Sequence, residues 1–181
     1  MIILLGAPGS GKGTQSDRLS QSYNLPYVCM GDIVRNEIKT KTILGKKMIS
    51  FIDKGDLVPD SLINDIFISN YPVLSDISDA ILDGYPRTLN QAKYLSSLLE
   101  NSSIDLYIFL IDVPDQTLTE RLLSRSRSDD TLDVITNRLE TYHREIKPIL
   151  EYYGNRVLKL DGNCEVDVVF SEISNHLKIS T

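Results

Sequence analysis

A glycine-rich loop near the amino terminus constrains the fold of this chain more than any other feature. The apolar run 1–5 leads into GAPGSGKGT, residues 6–14, and a helix-like stretch, 12–23, follows. The spacing GxxxxGK between a strand and a helix is that of a phosphate-binding P-loop. Glycines let backbone N–H groups face an anion, and the following helix adds the positive end of its dipole. The segment therefore predicts a site for the phosphates of a nucleotide.

Within this loop, Lys12 is expected to place its charge on the β and γ phosphates. The loop departs from the general P-loop because Gly13 follows the lysine, so the hydroxyl that usually meets magnesium is displaced to Thr14. The dinucleotide fingerprint GxGxxG is excluded, since Thr14 stands where its third glycine would be needed. The residues expected to surround the phosphates are Gly9, Ser10, Gly11, Lys12, Gly13 and Thr14.

Short apolar runs alternate with longer amphipathic segments along the chain, which predicts an α/β fold with a parallel sheet covered by helices on both faces. Gly55 is expected to end a helix, Asp60 to cap the start of one, and Pro148 to kink or break the long late helix. Two stretches, about 30–60 and 124–131, do not fit the alternation and are candidate insertions over a site. The strands are expected at 1–5, 80–82, 106–111 and 156–160, and the helices at 12–23, 32–39, 44–54, 61–70, 88–99, 115–124, 131–153 and 165–177.

Composition narrows the class of protein. The chain has 181 residues, enough for one domain with its own core, and a net charge of −6. This charge argues against binding to nucleic acid or to an anionic membrane, both of which need a basic surface. The cysteines, Cys29 and Cys164, are too few and too far apart for a zinc site or a disulfide framework, so a reducing cytoplasm is expected. No apolar run reaches membrane-spanning length, and the amino terminus lacks the basic region of a signal peptide.

A second motif, ILDGYPR, lies at the end of the apolar run 80–82. Asp83 would lie beside the P-loop in a parallel sheet and could hold magnesium, through a bound water, as a carboxylate at that edge does. Gly84 permits close backbone approach, Pro86 stiffens the turn, and Arg87 offers a planar bidentate phosphate ligand. On its own, Asp83 could equally be a residue that ends a strand.

Four of the arginines fall within 18 residues: Arg121, Arg125, Arg127 and Arg138. Arg121 and Arg125 are four residues apart, so they share one helix face and repel each other. A solvated helix face neutralised by nearby acidic residues is one interpretation. The other is a clamp for the charge that develops during phosphoryl transfer.

Taken together, these motifs resemble the short-lid adenylate kinases, within the nucleoside monophosphate kinase family. The resemblance rests on GAPGSGKGTQ, on LDGYPRT followed by Gln91, and on RLLSRSRSDD followed by NRLETYHREIKPILEYY. CMGDIVR is similar to the family's STGDLLR, and KGDLVPD to its segment that closes over the AMP base. The resemblance implies a three-layer P-loop sandwich with a five-stranded parallel sheet. It divides the chain into a core (1–29, 60–125 and 133–181), an NMP-binding insertion (30–59) and a short lid (126–132).

The resemblance further implies the reaction MgATP + AMP ⇌ 2 ADP in a cytoplasmic protein that is usually a monomer, with Mg²⁺ and no zinc. The small-molecule partners would be ATP, AMP and ADP. The implied catalytic residues are Lys12, Arg87, Arg127 and Arg138. Beyond the P-loop, ATP would be bound by Arg121, Arg125 and Cys164, while Asp129 and Asp130 would tie the closed lid. AMP would be bound by Met30, Arg35, Asp56, Leu57, Val58, Gly84, Tyr85, Pro86, Arg87, Gln91, Arg127 and Arg138, with Gln91 on the adenine edge.

One departure from the family pattern concerns the acceptor base. Met30 stands where the family has threonine, whereas Gln91 keeps the adenylate-type glutamine. A kinase that prefers UMP or CMP, or accepts several monophosphates, is therefore one alternative. A P-loop module that binds ATP and signals by conformation is another, although such a module has no need for arginines aimed at a second phosphate. No general base is expected, because the phosphate that attacks is already ionised.

Overall fold

The computed structural model of the protein describes residues 1–73, 77–125 and 130–177. Five strands form one parallel sheet: β1 (Ile2–Leu5), β2 (Tyr27–Cys29), β3 (Ile81–Asp83), β4 (Tyr107–Asp112) and β5 (Val157–Asp161). Their order in the sheet is β2-β3-β1-β4-β5. From β1 the chain runs to β2 and β3 on one side of that strand and then crosses to β4 and β5 on its other side. The carboxyl end of β1 therefore lies at the switch point, where ligands bind in such folds.

Eight α-helices occur in the described residues, and helices cover both faces of the sheet. Consecutive residues of β1 alternate between two cores: Ile3 and Leu5 pack in one, and Ile2 and Leu4 in the other. A central parallel strand buried on both faces is a continuous apolar run for this reason. The helices are α1 (Lys12–Tyr23), α2 (Met30–Lys39), α3 (Ile43–Ile52), α4 (Asp60–Asn70), α5 (Leu89–Leu99), α6 (Asp115–Arg125), α7 (Leu132–Tyr153) and α8 (Val166–His176).

The α/β class and the parallel sheet are confirmed. The four apolar runs and the eight helical segments each correspond to an observed element, displaced by at most a few residues. The strand that the apolar pattern missed is β2. It has three residues, lies at the edge of the sheet, and only Val28 of the three is fully buried.

Three local predictions had different outcomes. The prediction that Gly55 is a C-cap was displaced, because Asp53 is the cap of α3; Gly55 follows in the closing turn, with a φ of 78° and its N–H donating to Ile52 O at 3.0 Å. The prediction that Asp60 is an N-cap was wrong by one position, because Pro59 is the cap and Asp60 is the first helical residue. Pro148 was predicted to kink or break the helix: it does not break it, since α7 continues through the proline, and a kink stays a prediction. The carbonyl that loses its partner belongs to Arg144, an exposed residue, so water can satisfy it.

Two helices and the loop after them occupy the stretch proposed as an insertion. Helices α2 and α3 follow β2 without another strand, and α4 begins at Asp60. Within the ranges that the structure describes, no helix combines the length and the apolar character needed to cross a bilayer.

Candidate active site

The P-loop connects β1 to α1 at the switch point. Gly9 and Gly11 have φ values of 86° and 96°, a left-handed conformation that side-chain-bearing residues rarely adopt. The ammonium of Lys12 lies beneath the loop and donates to the carbonyl oxygens of Gly6 and Ala7, each at 2.8 Å. Burial lowers the pKa of Lys12 to about 8, although the nearby Asp83 carboxylate opposes this shift.

Asp83 ends β3 directly beside the P-loop, as the sequence predicted. Leu4 of β1 pairs with Asp83 in the sheet register, and a Cβ placed on Gly13 would lie 3.8 Å from Asp83 Oδ2. The hydroxyl of Tyr27 donates to the same oxygen at 3.1 Å. Burial and the Asp83 charge raise the pKa of Tyr27, so the phenol keeps its proton and remains a donor. The arrangement fixes the carboxylate at the edge where a P-loop nucleotide carries its metal.

The turn after β3 presents Arg87 to the same edge. Gly84 has a φ of 77°, and a Cβ there would lie 2.9 Å from Arg87 Nη2, so a larger residue would displace the guanidinium. Arg87 Nε donates to Gly84 O at 3.0 Å. Its backbone N–H donates to Gln91 Oε1 at 2.7 Å, and Gln91 Nε2 donates to Asp60 Oδ1 at 2.8 Å.

A buried carboxylate holds two of the four grouped arginines. Asp130 has no exposed side-chain surface. It accepts two hydrogen bonds from Arg125, at 2.8 and 2.9 Å, and one from Arg138 Nη1 at 3.1 Å. Arg121 Nη1 donates to Gly162 O at 3.1 Å, which links α6 to the turn after β5. Asp130 therefore neutralises part of the cationic charge of Arg125 and Arg138.

On the opposite side, the stretch 30–59 contributes its own groups. Arg35 pairs with Asp32, one turn earlier on α2, and its guanidinium lies over Gly31. Met30, the first residue of α2, is 2% exposed and lines the cleft. The loop after α3 contacts α7, where Asn137 Nδ2 donates to Lys54 O at 2.7 Å and to Asp56 Oδ1 at 2.9 Å.

One cleft of about 570 Å³ joins these two sides, a size usual for ligand sites. Most residues predicted to bind nucleotide line it. On the P-loop side they are Gly9, Gly11, Lys12, Gly13, Thr14, Arg121, Arg125 and Arg138. From the stretch 30–59 they are Met30, Arg35, Asp56, Leu57 and Val58, and from the segment after β3 they are Gly84, Pro86, Arg87 and Gln91. Asp83, which was predicted to hold magnesium, also lines the cleft.

Some predicted residues lie elsewhere. The prediction for Tyr85 is corrected: its ring is 1% exposed, stacks on Phe67 in the core, and its hydroxyl donates to Asn64. Ser10 and Cys164 line a second, smaller cavity beside Arg121 and Gly162, on the outer side of the P-loop. Arg127 and Asp129 lie outside the described residues.

Sequence patterns did not single out Tyr27 and Asn137, and they assigned Asp60 a different role. Tyr27 belongs to the edge strand that the apolar pattern missed, and the contacts of Asn137 span more than 80 residues of sequence. No local pattern in the sequence identifies the partners of Asn137.

Neither histidine of the chain lines this cleft. Both histidines of the chain are exposed: His143 pairs with Asp115 at 2.8 Å, and His176 contacts Glu172 O. Across the described ranges, three or more His, Cys, Asp or Glu side chains do not converge on any point where they could hold a metal. A metal at Asp83 would thus take most of its ligands from bound phosphates and water, as Mg²⁺ commonly does.

Comparisons with known proteins point to one family. The sequence profile described as adenylate kinase matches residues 4–158. The chain is 41% identical over 170 residues to an adenylate kinase of Nocardia farcinica, with 93% of each chain covered. It is 38% identical over 179 residues to an adenylate kinase of Bacteroides thetaiotaomicron, with 95% of each covered. For an adenylate kinase of Oenococcus oeni the identity is 40% over 178 residues, covering 95% of this chain and 94% of the relative.

Proposed function

The chain belongs to the adenylate kinase family, and on that premise we propose that its cleft transfers a phosphoryl group reversibly from MgATP to AMP, giving two ADP. The observation that carries the proposal is the joining of two phosphate-directed sites in one cleft. Lys12 and the P-loop form one of them, and Arg35, from α2, and Arg87, from the turn after β3, form the other. A protein that bound one nucleotide would have no use for the second set.

We propose that catalysis is positioning combined with charge stabilisation. The attacking group is an ionised phosphate oxygen, so no residue needs to remove a proton. Lys12, Arg87 and Arg138 place positive charge around the cleft, and such preorganised groups stabilise a phosphoryl in transfer. Arg127 is proposed to join them on the basis of its place in the sequence. Replacing Arg138 by lysine should lower kcat by orders of magnitude and leave the fold intact, because a lysine cannot make the bidentate contact.

The metal of MgATP fits the donor groups at the end of β3. Asp83 supplies a carboxylate and Thr14 a hydroxyl, both lining the cleft beside the P-loop. These two residues would hold Mg²⁺ together with the phosphates and water, and the ion would neutralise charge on the phosphoryl group. Tyr27 keeps the Asp83 carboxylate in place through its hydrogen bond.

Water must be excluded from the cleft, since otherwise ATP would be hydrolysed. We propose that the stretch 30–59 closes over AMP and the lid, 126–132, over ATP. The ion pairs of Asp130 with Arg125 and Arg138 and of Asp32 with Arg35 support this proposal. Each holds an arginine that a bound phosphate would engage.

The outer cavity beside the P-loop is proposed to receive the adenine of ATP. It has a volume of about 280 Å³ and is lined by Arg121, Gly162 and Cys164. Arg121 can stack its planar guanidinium on a base. Arg121→Ala should then raise the KM for ATP more than it lowers kcat.

The experiment that tests the proposal is steady-state ADP formation from MgATP with AMP, UMP, CMP and GMP as acceptors. We expect AMP to be preferred by about 100-fold or more in kcat/KM, which corresponds to about 2.7 kcal/mol of transition-state stabilisation. Equal rates with UMP or CMP would widen the assignment to a nucleoside monophosphate kinase. Hydrolysis of ATP that ignores every monophosphate would overturn it.

A further inference from the structure

The side-chain amide of Gln91 is held between two groups that determine which of its ends faces which way. Gln91 is 2% exposed. Its Oε1 accepts from the Arg87 backbone N–H at 2.7 Å, and its Nε2 donates to Asp60 Oδ1 at 2.8 Å. Asp60 Oδ1 also accepts from Thr88 Oγ1 at 2.9 Å. The start of α4 is thereby tied to the start of α5, beside the cleft.

Rotation of this amide by 180° would break both hydrogen bonds. Nε2 would then face the Arg87 N–H, which places two donors together. Oε1 would face the Asp60 carboxylate, which places two acceptors together. Because a buried polar group without a partner is costly, these neighbours admit a single orientation of the amide.

We propose that Asp60 determines the specificity of the acceptor site: by fixing the orientation of Gln91, it selects AMP against GMP and UMP. This inference rests on the proposed function, in which Gln91 faces the acceptor base. An amide has two N–H groups and two lone pairs, so after its two internal bonds Gln91 retains one of each for a ligand. The orientation of the amide determines which atom of the base lies opposite the free N–H and which lies opposite the free lone pair.

The hydrogen-bonding edges of the bases differ in this order. Adenine presents an amino donor at C6 beside the acceptor N1, and cytosine presents the same pattern with its amino group at C4 beside N3. Guanine and uracil present a carbonyl acceptor beside an N–H donor, which is the reverse pattern. The fixed amide of Gln91 can form both hydrogen bonds with adenine or cytosine. Against guanine or uracil its N–H would face a donor and its oxygen an acceptor, and such buried mismatches reject a ligand strongly.

Replacing Asp60 by asparagine removes one of the two restraints on the Gln91 amide, the carboxylate that can only accept a hydrogen bond. The asparagine side chain can present either its oxygen or its amino group to Gln91, so the reversed amide becomes accessible, although the Arg87 N–H still opposes it. We expect the kcat/KM ratio of AMP to GMP, and of AMP to UMP, to fall by roughly tenfold. The ratio of AMP to CMP should stay within about twofold, because cytosine shares the adenine pattern. A merely structural role for Asp60 would not separate the bases in this way.

The experiment measures kcat and KM for the four monophosphates in the wild type, Asp60→Asn and Asp60→Ser. The serine hydroxyl can donate or accept, so it keeps the test available if Asp60→Asn does not fold, as judged by thermal unfolding. Asp115→Asn is the matched control, because Asp115 is also the first residue of its helix but pairs with His143 on the surface. We expect it to leave all the ratios unchanged.

Gln91→Met separates failure of this inference from failure of the proposed function. If Gln91→Met raises the KM for AMP while the Asp60 variants shift no ratio, or shift the CMP and GMP ratios equally, the role of Asp60 is refuted and the proposed function stands. An unchanged KM for AMP in Gln91→Met would also refute the inference. If the wild type forms no ADP from AMP, the proposed function itself is wrong.

Discussion

Replacing Asp130 by asparagine tests whether the arginine cluster is held by one buried carboxylate. Asparagine keeps the shape of the side chain but loses its charge and turns an amino group toward a guanidinium. A hydrogen bond to a charged group contributes about 1.5–3 kcal/mol, and removing one partner of a buried ion pair costs about 3–5 kcal/mol. Arg125 is 33% exposed, so water recovers part of the cost. We expect the free energy of unfolding to fall by about 3 kcal/mol.

For a domain of this size, such a loss lowers the Tm by roughly 6–12 °C, which thermal unfolding followed by circular dichroism measures directly. Asp133→Asn makes the same chemical change at an exposed position in the first turn of α7. It should cost less than about 1 kcal/mol, since it weakens a favourable charge at a helix end. Equal shifts in the two variants would refute the reasoning, because the burial of Asp130 and its three hydrogen bonds would then contribute nothing.

Three further predictions concern the cleft and the loop that borders it. Because the pKa of Lys12 is about 8, ATP affinity measured by calorimetric titration should fall by up to about tenfold per unit above pH 8, and Lys12→Met should lose that dependence. Between pH 8 and 10.5 the unfolded chain binds this proton and the folded protein does not, so the contribution of Lys12 to the free energy of unfolding rises with pH. Asn137→Ala should raise the KM for AMP by roughly 3- to 10-fold, because the loop that is proposed to close over AMP would lose its two hydrogen bonds to α7, at Lys54 and Asp56. Steady-state kinetics of Thr136→Ala, the neighbouring residue of the same helix, should match the wild type. Gly55→Ala should lower the Tm, because Gly55 has a φ of 78° and a Cβ there would lie 2.9 Å from Val134 O. An unchanged Tm in Gly55→Ala would contradict that contact.

The fold was largely predictable because its main elements carry local signals. The strands β1 and β4 are buried on both faces, so their sequences are nearly continuous apolar runs. The edge strand β2 has neither the length nor the burial that would produce such a run. Pro148 has a strong local preference against a helix interior, yet packing of Ile149 and Tyr153 keeps α7 continuous around it.

Site residues were predictable where chemistry requires a residue type at a fixed spacing. The P-loop, Asp83 and Arg87 follow that rule, and the structure brings them to one edge of the sheet. Long-range partners such as Tyr27 for Asp83 or Asp60 for Gln91 depend on how elements meet in space, which no local pattern encodes. Tyr85 shows the opposite error: it lies within a binding motif, but its side chain belongs to the core.

The most direct test of the central claim follows the fate of the γ-phosphoryl group. ATP labelled at the γ position is mixed with AMP, Mg²⁺ and excess enzyme, and the products of a single turnover are separated. Direct transfer in a closed cleft predicts that the label appears as the β-phosphate of newly formed ADP, with almost none as inorganic phosphate. Label recovered mainly as inorganic phosphate, whether or not AMP is present, would contradict the account.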